Sequence, residues 1–287
     1  TARSTEVDGS AAEVSADLDI TVEVDEAPGL LLTGTSGVDT LTGGANGDTL
    51  VGGGGNDELI GGAGDDLFLV NAAGADFDRY DGGEGFDRIA AGADGVTIGL
   101  SQFENSVEVI DGAGHAGVTV RGANDWFGLL DFSATTLTDI GTVFGGIRND
   151  TIIGSDISAM VIDPGTGDDV IRAGAADLTL LYSGTDSGLD RFVNGAGHTT
   201  ILAGSDGTVI GLTQFVNGVD IIDGAGHAGV IIEGANDWFG LLDFSATTLT
   251  DIETVFGGMR NDTIVGSDIS DMTLDPGSGD DLVRAGA

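Results

Sequence analysis

From residue 34 onward the chain is built of short apolar clusters framed by glycine, aspartate, asparagine and serine. Examples are Val107–Ile110, Val118–Val120, Leu129–Leu130, Ile152–Ile153 and Val170–Ile171, within a pattern that recurs about every nine to twelve residues. The clusters are rich in β-branched residues and too short for helices, so they predict strands. No stretch carries helical periodicity. Short strands at such regular intervals predict an all-β chain, a right-handed parallel β-solenoid in which each turn buries its apolar side against its neighbours.

Residues 1–33 follow another pattern. Leu18, Ile20, Val22 and Val24 alternate with polar residues, which predicts one half-buried strand, and Asp25-Glu26-Ala27-Pro28 follows as a linker. This stretch resembles the last strand and linker of a cadherin-like or immunoglobulin-like repeat, and the resemblance implies a β-sandwich remnant before the solenoid.

Two internal periods organise the rest. The shorter is nine residues: 34–42 read GTSGVDTLT, 43–51 GGANGDTLV, 52–60 GGGGNDELI and 61–69 GGAGDDLFL. Aspartate stands sixth in each unit, at Asp39, Asp48, Asp57 and Asp66, and a large apolar residue follows two later, at Leu41, Leu50, Leu59 and Phe68. The longer period is 112 residues: RGANDWFGLLDFSATTLTDI from Arg121 returns as EGANDWFGLLDFSATTLTDI from Glu233. The chain therefore divides into 1–33, a roll over 34–69, and two solenoid copies over 63–174 and 175–286.

Composition sharpens this picture. The 287 residues include 52 glycines but three prolines, without the every-third glycine of collagen. There are 48 acidic residues against nine arginines and no lysine, a net charge of -39. Such a chain lacks the basic patches that nucleic acids need and is repelled by anionic membranes. Self-repulsion on this scale opposes compaction, yet 40% of residues are apolar, too many for a disordered chain. Folding with cations reconciles the two. No apolar run reaches the roughly 20 residues of a membrane helix, and no cysteine offers a disulfide or a thiolate. Thr1 opens the chain without a secretory leader, which predicts a segment of something longer.

The unit GGxGxDxUx supplies the chemistry for cations. Glycines allow positive φ at the turns and let carbonyl oxygens converge. The sixth-position aspartate adds a hard, charged oxygen, and the apolar residue two later pins the turn to the core. Calcium takes six to eight such oxygens in flexible geometry. The unit resembles the RTX, or hemolysin-type, calcium-binding repeat. The resemblance implies a β-roll whose coil turn is 18 residues, with one Ca2+ shared between Asp39 and Asp57 and another between Asp48 and Asp66.

Looser versions of the loop add candidates. Gly82-Gly83-Glu84-Gly85-Phe86-Asp87 fits fully. Asp150 and Asp262 end loops in which Arg148 and Arg260 replace the fourth glycine, and a cation there opposes a second one. Asp169 and Asp281 end loops that begin with Pro164 and Pro276. Thr199 stands where the first copy has Asp87, so that site is lost in the second copy.

Other signals point nowhere specific. Gly112-Ala113-Gly114-His115-Ala116-Gly117 matches G-x-G-x-x-G, but a strand rather than a helix is expected next, against a dinucleotide site. His115, His198 and His227 lack ligand spacing for zinc. Carboxylate pairs are too abundant to mark a glycosidase. Trp126 and Trp238 are the only tryptophans; they pack on the solenoid or, in a second reading, stack on a sugar.

The expectation is a calcium-folded structural segment, not an enzyme, in a large extracellular or cell-surface bacterial protein of adhesin or surface-layer type. The family resemblance implies type I export. Calcium is the expected partner, with self-association or extracellular glycans as further ones. The alternative is a carbohydrate-binding or secretion and folding module of a secreted enzyme or toxin.

Overall fold

A computed structural model describes residues 29–71, 76–104, 106–122, 128–185, 188–234 and 240–286, together with the strands Ala12–Glu13 and Asp19–Thr21. Trp126 and Trp238, the residues of the sugar-stacking reading, lie outside the described residues. The described residues contain strands and turns and no helix. The strand pairings are parallel throughout, and each unit below is a β-solenoid. The chain divides into two compact units: residues 1–125 with 129–143, and residues 126–128 with 144–287.

In the first unit one sheet runs Ala12–Glu13, Leu31–Thr33, Thr49–Val51, Leu67–Val70, Arg88–Ala91, Val109–Asp111 and Thr136–Thr138. A second runs Asp19–Thr21, Thr40–Thr42, Glu58–Ala63 and Arg79–Glu84. The register shows the coil length directly. Leu31 lies opposite Thr49 and Thr40 opposite Glu58, eighteen residues on. Beyond the nonapeptide segment the coil lengthens: Glu58 faces Arg79, and Val109 faces Thr136. Asp19–Thr21 is the first rung of the second sheet, in parallel register with Thr40–Thr42, and not a strand turned away from the roll. The remainder of the predicted 1–33 segment, Val22 and Val24 included, falls outside the described residues, apart from the strands and 29–33.

The second unit repeats the plan. Its main sheet includes Met160–Gly165, Leu178–Tyr182, Thr199–Ala203, Ile221–Asp223 and Thr248–Thr250. Beside it lie the strands Thr151–Ile153, Val170–Arg172 and Arg191–Val193, then Val209–Leu212 and Ile231–Gly234 with their partners.

Alternation explains the core. In three-residue strands such as Thr40–Thr42 and Thr49–Val51 only the middle side chain points inward. Leu41, Leu50, Leu59, Phe68, Ile89, Ile152, Ile171 and Ile264 are all buried in this way. The sequence duplication is also a duplication of packing. Phe103 tilts on Phe132 at 5.3 Å, and Phe215 on Phe244 at 5.0 Å. The Thr135 hydroxyl donates to the Val107 carbonyl, as Thr247 does to Val219. The G-x-G-x-x-G turn at Gly112–Gly117 leads into the strand Thr119–Gly122, as its copy leads into Ile231–Gly234.

Candidate metal centres

Each GGxGxD loop joins two short strands, and its sixth residue sits just before a buried apolar anchor. The anchor drags the aspartate inward. Asp39, Asp48, Asp57, Asp66, Asp87, Asp150, Asp169 and Asp262 are all buried, and Asp281 is half-buried. Stacking of coils then sets these aspartates in rows. In unit 1 the Asp39 N–H donates to Asp57 Oδ1 at 2.9 Å, and the Asp57 N–H to Asp78 Oδ1 at 2.9 Å. A second row links Asp48 to Asp66 at 2.7 Å, Asp66 to Asp87 at 2.8 Å, and Asp87 to Glu108 at 2.7 Å. In unit 2 the Asp150 N–H donates to Asp169 at 2.7 Å and the Asp169 N–H to Asp190 at 2.9 Å, while Asp262 donates to Asp281 at 3.0 Å.

These bonds occupy one carboxylate oxygen each, and the fate of the other depends on backbone conformation. In the loops at 34–39 and 43–48 the second-position N–H turns back to its own aspartate: Thr35 donates to Asp39 Oδ2 and Gly44 to Asp48 Oδ2, both at 2.6 Å. In the loops at 52–57, 61–66, 82–87 and 164–169 the second and fourth glycines have positive φ, from +94° at Gly165 to +138° at Gly85. There the Oδ2 atoms of Asp57, Asp66, Asp87 and Asp169 are buried with no hydrogen-bond partner. The glycine pair that permits this conformation also keeps side chains out. A Cβ on Gly62 would stand 2.3 Å from the Gly44 carbonyl oxygen, and one on Gly83 1.9 Å from that of Gly62.

The first glycine of the loop marks where the oxygens meet. A point one Cβ bond from Gly61 lies 2.1 Å from Asp66 Oδ2 and 2.5 Å from the Gly82 carbonyl oxygen of the next coil. Gly34 and Gly43 show the same pair, with the carbonyls of Gly52 and Gly61. At Gly145 and Gly257 the next-coil carbonyls of Pro164 and Pro276 remain, but side-chain atoms of Ile152 and Ile264 come next, at 3.1 Å. These are the loops of Arg148 and Arg260. Both arginines are exposed, and their loops have positive φ at the second position alone.

Electrostatics point the same way. Burial, above all, pushes the Asp57 carboxyl up to about 7, with the neighbouring carboxylates of Asp78, Asp39 and Asp76 adding to it against the Asp39 N–H. Asp66 rises to about 6 and Asp169 to about 8 for the same first reason. Asp87 and Asp262 are raised as well, again chiefly by burial. The rows hold desolvated carboxylates pressed against other carboxylates, and positive charge is what they lack.

A resident cation fits these oxygens. Among the described residues no three His, Asp or Glu side chains cluster, so a side-chain cage of the zinc kind is not present there. The donors are aspartate oxygens and backbone carbonyls on successive coils, the hard and irregular set that calcium accepts. Fold and site together define a calcium-binding β-roll. Residues 33–68 match the family model of the RTX calcium-binding nonapeptide repeat, in four copies. The nonapeptide segment is thus a run of RTX-type repeats, and the cofactor of such repeats is Ca2+. Comparison with curated proteins gives no match.

Several members of the rows escape a motif search. Asp78, Asp190 and Glu108 extend them from loops without the glycine pattern. Fifth-position residues form a separate exposed series in which an earlier side chain caps a later backbone. Asn56 accepts from Phe77, Asp65 from Phe86, Asn149 from Asp168 and Asn261 from Asp280. A signal was available for Asp78 and Asp190: they are 112 residues apart, and each precedes an aromatic residue by two, Tyr80 or Phe192. The histidines sit at exposed or half-exposed turns beside aspartates, His115 near Asp94 and His227 near Asp206.

Proposed function

We propose that this chain is a calcium-folded structural segment of a larger extracellular or cell-surface protein, a spacer rather than a catalyst. One observation carries the reading: buried, partnerless aspartate oxygens stacked coil on coil, in a chain of net charge -39. Bound calcium supplies the positive charge that these oxygens lack. The protein's own part is to hold them in register. The apolar anchors fix each loop, the inter-coil N–H bonds orient each carboxylate, and the glycines keep the space between coils clear. Because both halves of a site come together only when coils stack, binding free energy is folding free energy.

Extracellular modules bind calcium with Kd of roughly 10⁻⁴–10⁻³ M. A chain of this kind stays open where free calcium is scarce and closes outside the cell, which agrees with the type I export that its repeats suggest. The 112-residue duplication supports a spacer or surface-layer role, since a repeated coil adds length without adding a new kind of site. The test is far-UV circular dichroism of the whole chain, titrated from chelator to about 10 mM calcium, a span that covers such affinities. A cooperative transition from coil to β-structure, absent with magnesium, is expected. A full β spectrum in chelator would overturn the reading.

A further inference from the structure

The row Asp48–Asp66–Asp87 does not end where the glycine loops end. The Asp87 N–H donates to Glu108 Oε2 at 2.7 Å, so Glu108 takes the place of a sixth-position aspartate in a loop that lacks the motif. Asp87 is 0% exposed, and its Oδ2 has no hydrogen-bond partner. The point one Cβ bond from Gly82 is 2.2 Å from that oxygen and 2.2 Å from the Ser106 carbonyl oxygen of the next coil. The two oxygens are therefore no farther apart than twice that distance, with no side chain on Gly82 to separate them. This is the arrangement found at Gly61 inside the nonapeptide segment, one coil further along.

The second copy of the repeat provides an internal control. Moving each residue by 112 positions replaces Gly82 with Asn194, Phe86 with His198, Asp87 with Thr199 and Glu108 with Asp220. The backbone bond survives: the Thr199 N–H donates to Asp220 Oδ2 at 2.7 Å. Thr199 brings no carboxylate, Asn194 puts a side chain where Gly82 has none, and His198 Nδ1 lies 3.0 Å from Asp220 Oδ2. The carboxylate of this step finds its partner within the protein.

We infer that Asp87 and Glu108, with the Ser106 carbonyl, hold a further calcium ion beyond the nonapeptide segment, and that the equivalent step in unit 2 holds none. The inference rests on the calcium reading of the rows. It adds a ligand, Glu108, that no glycine motif announces, and it makes the two copies unequal in calcium content.

The test counts bound calcium per chain in the whole protein, by equilibrium dialysis and titration calorimetry, with circular dichroism at saturating calcium as the check on folding. Glu108→Gln keeps an oxygen for the Asp87 N–H but removes the charge; it is expected to lose one ion or weaken it at least tenfold. Asp220→Asn is expected to leave the count unchanged. The triple change Asn194→Gly, His198→Phe, Thr199→Asp rebuilds the first-copy step in unit 2 and is expected to gain one ion, an outcome that misfolding cannot imitate. A calcium-binding wild type whose count and affinities survive Glu108→Gln, or a folded triple variant that gains nothing, overturns the Glu108 site alone. If Glu108→Gln does not fold, the triple variant decides. A wild type that binds no calcium overturns the calcium reading itself.

Discussion

The hydroxyl of Tyr182 donates to Asp190 Oδ2 across 2.5 Å, and both residues are buried. In unit 1 the Tyr80 hydroxyl donates to Asp78 Oδ2 at 3.2 Å. Asp78 and Asp190 are equivalent in the 112-residue repeat, but the tyrosines are not: Phe192 stands at the place of Tyr80, and Val70 at that of Tyr182. The two copies reach the same pair from different positions, so the bond, more than either tyrosine, is what the fold requires. Each pair closes a row. Oδ1 accepts the N–H of Asp57 or Asp169, and the phenol takes the oxygen that elsewhere has no partner. Burial first, and the adjacent carboxylate second, push both phenols well above their ordinary value, so they remain donors.

Removing that donor isolates a buried carboxylate oxygen. Tyr182→Phe is expected to cost about 1–3 kcal/mol. Urea unfolding in saturating calcium should show a lower midpoint with unchanged slope; an unchanged midpoint would mean the hydroxyl is dispensable.

Two glycines with positive φ should respond very differently to alanine. Gly83, at φ +100°, would place a Cβ 1.9 Å from the Gly62 carbonyl oxygen, whereas Gly95, at φ +69°, has nothing within 4 Å. Strain and clash together predict a loss of about 3 kcal/mol or more for Gly83→Ala. Only the left-handed penalty of about 1–2 kcal/mol applies to Gly95→Ala. Thermal unfolding of the pair in calcium tests the order; equal losses would show that the stacked carbonyls yield.

Without calcium, pH should act in the direction opposite to ordinary acid denaturation. Asp57, Asp66, Asp169 and Asp190 titrate at about 7, 6, 8 and 7 in the folded chain, raised chiefly by burial. In the unfolded chain they titrate near the ordinary value of about 3.9. The folded state therefore binds more protons over that interval. The protonated rows favour the fold below about pH 4, and the advantage is lost as pH rises through about 6 to 8. In chelator, circular dichroism should show more β-structure at pH 5 than at pH 8. With calcium present the dependence reverses, because protons compete for the same oxygens.

Arg148→Gly restores the fourth glycine of the loop at 145–150 and removes an exposed cation beside Asp150. Calcium affinity measured by titration calorimetry should rise for one ion, by about tenfold for each 1.4 kcal/mol of repulsion relieved. An unchanged profile would place the ion-binding strength of unit 2 elsewhere.

Much of this was legible in the sequence because the anchor and the candidate ligand belong to one nine-residue unit. Leu50 and Asp48, or Phe68 and Asp66, cannot be separated without breaking the loop, so pattern alone locates both. The partnership of Asp66 with Asp87 is less visible. The coil between them has lengthened, and the bond joins residues 21 apart rather than 18. Glu108 is harder still, since its loop offers no glycine, and only stacking places it against Asp87. The strand around Ile20 shows the limit of reading alternation locally: Asp19–Thr21 alternates as a sandwich strand would, and its parallel pairing with Thr40–Thr42 depends on a segment beyond the linker.

The division of each candidate site between successive loops, an aspartate from one and a carbonyl from the next, would give a calcium-filled array a critical length. A single loop owns half of a binding position and gains nothing from calcium at any concentration. Each loop added to a stack completes the position left open by the last, so interior loops are stabilised from both sides and terminal ones from one. Stability then grows as in a one-dimensional lattice with nearest-neighbour coupling. The calcium midpoint should fall, and the transition steepen, as loops are added: the number of repeats is itself the setting of the calcium threshold.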